Sequence, residues 1–147
     1  MQRNYTIHTR IQKPIGEVFD AVVAGDKLCR YFTSSVSGDL VAGDTVYWRW
    51  EHYHAELPVT VQAVVPGARI ELTLDSKTWE KTRGEAYPVT VIFELEALDD
   101  GSTMLAISES GWKSDAEGRK GSHDNCSGWT HMAMCLKAWI EHGIDLR

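Results

Sequence analysis

This chain of 147 residues is poor in cysteine, and the three it has, Cys29, Cys126 and Cys135, show no pairing pattern. Their number is odd and no Cys-x-x-Cys spacing occurs, so a disulfide framework is not expected and a reducing compartment suits the chain better. No run of about 18 apolar residues appears, and the start Gln2-Arg3-Asn4-Tyr5 leads into strand-like alternation rather than an apolar leader. Membrane spanning and secretion are therefore not expected, and the cytoplasm is the expected location. Basic residues do not dominate or cluster: Lys and Arg number 15 against 21 Asp and Glu, a net charge of −6. That balance argues against nucleic acid or an anionic membrane as the main partner. Gly-x-Ser-x-Gly, a phosphate-binding P-loop and Gly-x-Gly-x-x-Gly are all missing, which leaves hydrolase-elbow, NTPase and dinucleotide readings without support. No cofactor is expected. Linkers, internal repeats and low-complexity tracts are also lacking, so residues 1–147 read as a single domain.

What the chain does have is alternation. Tyr5, Ile7, Thr9 and Ile11 share one face of a strand that Lys13-Pro14 ends. Pro14 suits the first turn of a short helix carrying Val18, Phe19 and Val22. A second short helix is expected over Asp26 to Phe32, with Asp26 as its N-cap. Strands follow at Val36–Leu40, at Val46, Trp48 and Trp50, at Leu57 through Val65, at Ile70 to Leu74, at Val89 to Leu95 and at Thr103 to Glu109. Turns at Ala42-Gly43-Asp44, Pro66-Gly67 and Asp99-Asp100-Gly101 separate them. Ser76 to Gly84 is polar and reads as a loop containing Trp79. From Gly128 to Gly143 the period changes: Trp129, Met132, Ala133, Leu136, Trp139 and Ile140 recur at steps of three and four, one face of a long helix with no internal proline. Gly143 stands where a left-handed C-cap would end it. Strands with segregated helices define an α+β arrangement: a curved antiparallel sheet of about six to seven strands, two short helices after the first, and a long C-terminal helix against the sheet.

Several segments, in order over nearly the whole chain, resemble the START-like (SRPBCC, helix-grip) superfamily. Within it the chain is most similar to the branch named after the C-terminal domain of the activator of the heat-shock protein 90 ATPase. The segments are Ile11–Asp20, Leu28-Cys29-Arg30-Tyr31-Phe32, Gly38–Asp44, Val64–Ile70, Val89–Glu96, Ser110-Gly111-Trp112 and the helix opening with Gly128-Trp129. The resemblance implies the helix-grip fold and a space between sheet and helix; relatives bind lipids, hormones and polyketides, and a few are cyclases or hydrolases. Gly118 and Gly121 lie just before the helix, where each glycine would weaken a continuous helix by about 1 kcal/mol. Lys113 to Asn125 is therefore expected to be a flexible lid or a broken helix.

Trp48, Trp50, Phe93, Trp112, Trp129, Met132 and Trp139 are the candidates to face that space. Large aromatics fill ordinary cores, and they also line pockets for flat or elongated apolar ligands. Glu109 shares strand phase with Leu105 and Ile107; pointing inward it could orient a ligand or act as an acid/base group, whereas a bulge near Gly111 would turn it to solvent. His52 and His54 continue the phase of Trp48 and Trp50, with Glu56 and His123 as further ligand types, but the spacing matches no known metal site and a solvated hairpin tip is the competing reading. No metal is expected. His8, His131 and His142 read as surface residues. Ser122-His123-Asp124 collects residue types used in nucleophilic catalysis, yet sequence neighbours do not make a triad, and Ser122 or Asp124 better suits a helix N-cap.

The first functional expectation is a module that binds a small hydrophobic or aromatic molecule between sheet and helix. The alternatives are a cyclase- or hydrolase-type enzyme using Glu109 with His52 or His54, and a chaperone-cofactor-like interaction protein. A homodimer is a further expectation, because exposed aromatic surface such as Trp79 would need cover.

Overall fold

A computed structural model describes residues 2–78 and 84–147. The strand that opens the chain, β1 (Arg3–Ile11), is followed by α1 (Ile15–Val23) and the short α2 (Gly25–Leu28). Then come β2 (Ser35–Val36), β3 (Thr45–Trp50), β4 (Ala55–Val65), β5 (Arg69–Asp75), β6 (Pro88–Ala97) and β7 (Thr103–Ser110), and finally α3 (Ala116–His142). Among the described residues the strands form one antiparallel sheet in the order β1-β7-β6-β5-β4-β3-β2. The first and last long strands are thus neighbours of very different sequence position, and Tyr5, Glu109 and Val91 sit side by side across β1, β7 and β6.

The period-2 pattern is realised as a buried inner face. Val46, Trp48 and Trp50 of β3 are buried while Thr45, Tyr47 and Arg49 are exposed; Ile70, Leu72 and Leu74 of β5 and Val89, Val91, Phe93 and Leu95 of β6 repeat the alternation. Register shifts between Arg3 and Tyr5 and between Val61 and Ala63 mark bulges, which add local twist and bend a sheet. The concave face so formed receives α3, whose Met132, Ala133, Cys135 and Leu136 are fully buried. The helix is pinned along β1 by Lys137 Nζ donating to the Arg10 carbonyl at 2.6 Å and by the Gln12 N–H donating to Glu141 Oε2 at 2.9 Å.

The C-cap at Gly143 adopts φ 68°, and the N–H groups of Gly143 and Ile144 donate to the carbonyls of Trp139 and Ala138, the bonding that closes a helix on a left-handed glycine. At the other end the expectation fails. Neither Ser122 nor Asp124 is the N-cap; both lie inside the helix, which starts at Ala116 with Asp115 as N-cap, its Oδ1 accepting from the Gly118 N–H at 2.7 Å. Lys113 to Asn125 is correspondingly neither a lid nor a broken helix beyond residue 115. Its glycines answer to packing rather than to flexibility. A Cβ on Gly121 would stand 2.5 Å from the Trp112 ring, and one on Gly118 would stand 2.0 Å from the Lys113 carbonyl oxygen.

Smaller corrections concern the ends of elements. The second helix begins at Gly25, not with Asp26 as its cap; Asp39 Oδ1 accepts from the Gly25 N–H at 2.8 Å across the loop. The expected strand Val36–Leu40 pairs only at Ser35–Val36. His52 and His54 do not continue β3, because the chain turns into a 3-10 segment at Glu51–Tyr53 and His54 takes φ 51°. Trp79 lies outside the described residues.

Candidate functional site

Between α3 and the β3–β5 end of the sheet the packing stops short. A cavity of about 340 Å³ opens there, lined by Trp48, Trp50 and Leu57 of the β3–β4 hairpin, Tyr53 of its turn, Leu74 and Thr78 at the end of β5, Phe32 after α2, and Asp124, Asn125, Gly128, Trp129 and His131 of α3. Its walls are mostly aromatic. Phe32 meets Trp50 edge-on with centroids 5.2 Å apart and Trp48 at 5.9 Å, and Trp129 stands 6.4 Å from Trp48 and 5.6 Å from Phe93, again near perpendicular. These edge-to-face contacts suit aromatic quadrupoles and fix the rings without closing the space.

Of the residues proposed from sequence, Trp48, Trp50 and Trp129 line the cavity. Phe93 and Met132 are fully buried in the core, Trp112 packs against Gly121, and Trp139 stacks on Tyr31 with centroids 5.6 Å apart; none of these lines the cavity. Glu109 has no exposed surface and points inward from β7. It lies under the aromatic wall, where its carboxylate accepts three N–H donors: Trp112 Nε1 on Oε1 at 2.7 Å, Trp129 Nε1 on Oε2 at 2.9 Å and Asn125 Nδ2 on Oε2 at 3.0 Å. A buried carboxylate is tolerated only with such bonds, and each donor here is locked in return. The Tyr5 hydroxyl lies beside the same carboxylate without forming a well-aligned bond; burial first, then the negative charge of Glu109, pushes its ionisation far above the ordinary phenol range.

His52 and His54 are exposed at the hairpin turn, whereas Glu109 is sealed in the core, so the three are not brought together in one cavity. Glu56 is exposed and pairs with Arg49 at 2.5 Å, and no group of three or more His, Cys, Asp or Glu with metal-holding geometry occurs among the described residues. Ser122 is buried and His123 exposed on successive positions of α3.

Asn125, Phe32, Tyr53, Gly128 and His131 were missed as lining residues. His131, read as a surface residue, is exposed and also borders the cavity. For Asn125 the signal was available: Gly121, Asn125, Trp129, Met132 and Leu136 fall on one helical stripe once α3 is extended back to Ala116. Reading residues 113–125 as a flexible lid or a broken helix hid it.

The sheet wrapped on one terminal helix, with a hollow between them, defines a helix-grip protein of the START-like class. The profile of the family described as Activator of Hsp90 ATPase homolog 1-like protein matches residues 12–141, and the chain belongs to that family. Among solved structures, SSP2350 from Staphylococcus saprophyticus is 27% identical with a TM-score of 0.75, over 97% of this chain and 96% of that one. The Aha1 protein from Colwellia psychrerythraea, solved as a dimer, gives 20% identity and 0.71 over 95% and 98%. DynU16, from the dynemicin biosynthetic locus, gives 17% and 0.77 over 94% of this chain but 47% of its own. The last two likenesses establish the fold alone. No curated protein matches the chain. No helix among the described residues is long and apolar enough to cross a membrane.

Proposed function

We propose that residues 1–147 form one cytoplasmic domain that binds a small, flat, hydrophobic or aromatic molecule in the cavity between α3 and the sheet. The observation that carries this reading is the cavity itself: about 340 Å³ of open space walled by Phe32, Trp48, Trp50 and Trp129 between sheet and helix. Concave aromatic linings with few polar groups are the usual form of small-molecule sites.

Gly128 offers a clean test, since it borders the cavity and a Cβ there meets nothing within 4 Å. Native mass spectrometry against fatty acids, sterols, flavonoids and aromatic polyketides is expected to show binding of flat ring compounds to the native chain. Gly128→Leu, which adds a bulky side chain at the cavity's border, should abolish that binding while leaving the thermal transition intact. Binding that survives Gly128→Leu, or no binding of any ring compound, overturns the reading.

Self-association is a second reading, favoured by exposed Tyr47, Tyr53 and Val65 and by likeness to the dimeric relative. Sedimentation velocity across a concentration series reads it directly, and a single monomeric species throughout removes it.

A further inference from the structure

Residues 144–147 follow the left-handed turn at Gly143 and fold back from α3 onto the chain just after α2. Arg147 makes that contact with its whole side chain. Its Nη1 donates to the carbonyls of Cys29 at 3.0 Å and Thr33 at 2.8 Å. Its Nη2 donates to the Arg30 carbonyl at 3.2 Å and to Asp145 Oδ2 at 2.9 Å, and its Nε to Asp145 Oδ1 at 3.0 Å. A guanidinium has five N–H groups, and all are used.

The three carbonyls have need of it. The N–H groups of Tyr31, Phe32 and Thr33 all donate to the Leu28 carbonyl, and no backbone N–H among the described residues reaches the carbonyls of Cys29, Arg30 or Thr33. A cation suits such a carbonyl end by bonding and by charge. Phe32 lies between two of the held residues. It is the half-buried ring of the cavity wall; its carbonyl accepts from Trp50 Nε1 at 2.9 Å and its ring meets Trp48 and Trp50 edge-on. Arg147 is thus a positioning residue that acts on the wall through Phe32.

Packing does little to hold this segment down. Ile144 and Leu146 are each 50% exposed, and water reaches the Arg147 and Asp145 side chains. A segment fixed by a few polar bonds opens locally, without unfolding the core. Near the latch is the Cys135 thiol, fully buried and 3.4 Å from His131 Nε2. Burial first, then the Asp145 carboxylate, pushes its ionisation up, and the Arg147 guanidinium opposes them.

We propose that residues 144–147 form a strap with Arg147 as its latch: closed, it holds Phe32 in the cavity wall; released, it frees the Cys29–Thr33 turn and opens the cavity on that side. The device goes beyond the binding function proposed above, and its motion is read with no ligand present.

The test compares wild type with Arg147→Ala, Arg147→Lys and Leu146→Ala. Arg147→Ala should raise iodoacetamide labelling of Cys135, resolved from Cys29 and Cys126 by peptide mass spectrometry, by about tenfold or more, the range of one lost charged hydrogen bond. Acrylamide quenching of the tryptophan emission should rise with it. Arg147→Lys should behave like Arg147→Ala, because an ammonium cannot fork across a carboxylate and three carbonyls. Leu146→Ala, in the same segment, should match wild type. Amide exchange in β6 should stay unchanged in every variant, which separates local opening from general loosening. Labelling and quenching unchanged in Arg147→Ala, wild-type behaviour of Arg147→Lys, or a rise shared by β6 exchange overturns the strap. Binding of ring compounds to wild type is measured separately, so either idea can fail while the other stands.

Discussion

From Met132 onward the inward face of α3 is packed against the sheet, with Met132, Ala133, Cys135 and Leu136 retaining no exposed surface. From Ala116 to Gly128 the same helix faces the sheet with Gly121, Asn125 and Gly128, and there the protein encloses Trp112 at one level and a cavity at the next. Backbone geometry is continuous across the two halves. What differs is side-chain volume on the inward stripe, and volume decides whether the gap between helix and sheet becomes core or site. The Glu109 carboxylate sits at the seam, bonding both Trp129 and Asn125 of the cavity wall from within the core.

The sharpest way to break this contrast is at the seam. Glu109→Ala leaves two buried indole N–H donors and the half-buried Asn125 amide without their acceptor and should lower unfolding stability by about 3–5 kcal/mol, read as a fall in the denaturation midpoint. A loss under 1 kcal/mol would show the carboxylate to be dispensable. Gly121→Ala should cost about 1–3 kcal/mol, because the new methyl must displace the Trp112 ring, and near-ultraviolet circular dichroism should register the change. Asp115→Ala removes the N-cap of the open half and should cost about 1 kcal/mol. Gly128→Ala reverses the sign: nothing obstructs the methyl, so helix propensity should raise stability by up to about 1 kcal/mol. Should Gly121→Ala and Gly128→Ala behave alike, the assignment of one glycine to packing and the other to open space is wrong.

The smallest effect is a matter of pH. Tyr5 and Tyr31 are both raised in the folded state, chiefly by burial. The unfolded chain then ionises these phenols first, near their ordinary value of about 10, so their contribution is fully present below that pH and is lost as pH rises above it. Stability should decline in alkaline solution, and Tyr5→Phe should make the decline shallower without removing it, since Tyr31 remains. An unchanged slope would mean that Tyr5 is not held neutral beside Glu109.

How much of this was legible beforehand differs by element. The strand phases of Val46-Trp48-Trp50 and Leu105-Ile107-Glu109 gave the inner face correctly, because alternation is a property of the backbone and needs no partner. The stretch at Gly118 and Gly121 misled, because propensity counts a glycine as a break and does not see the Trp112 ring and Lys113 carbonyl that require it. His52 and His54 misled for a related reason: a 3-10 turn ended the strand phase that would have carried them inward.

By itself the sequence determined the order of elements, the buried face of the strands except in β4 beyond its bulge between Val61 and Ala63, where Val65 turns outward, the C-cap at Gly143 and the family to which the chain belongs, since these depend on local periodicity, turn chemistry and motif order. Only the tertiary structure decided that Asn125 and Trp129 share Glu109, that Trp48 is left without an acceptor, and that a hollow survives beside them. Those outcomes rest on distances between residues far apart in the chain, set by how the bent sheet meets the helix, and no local pattern encodes them.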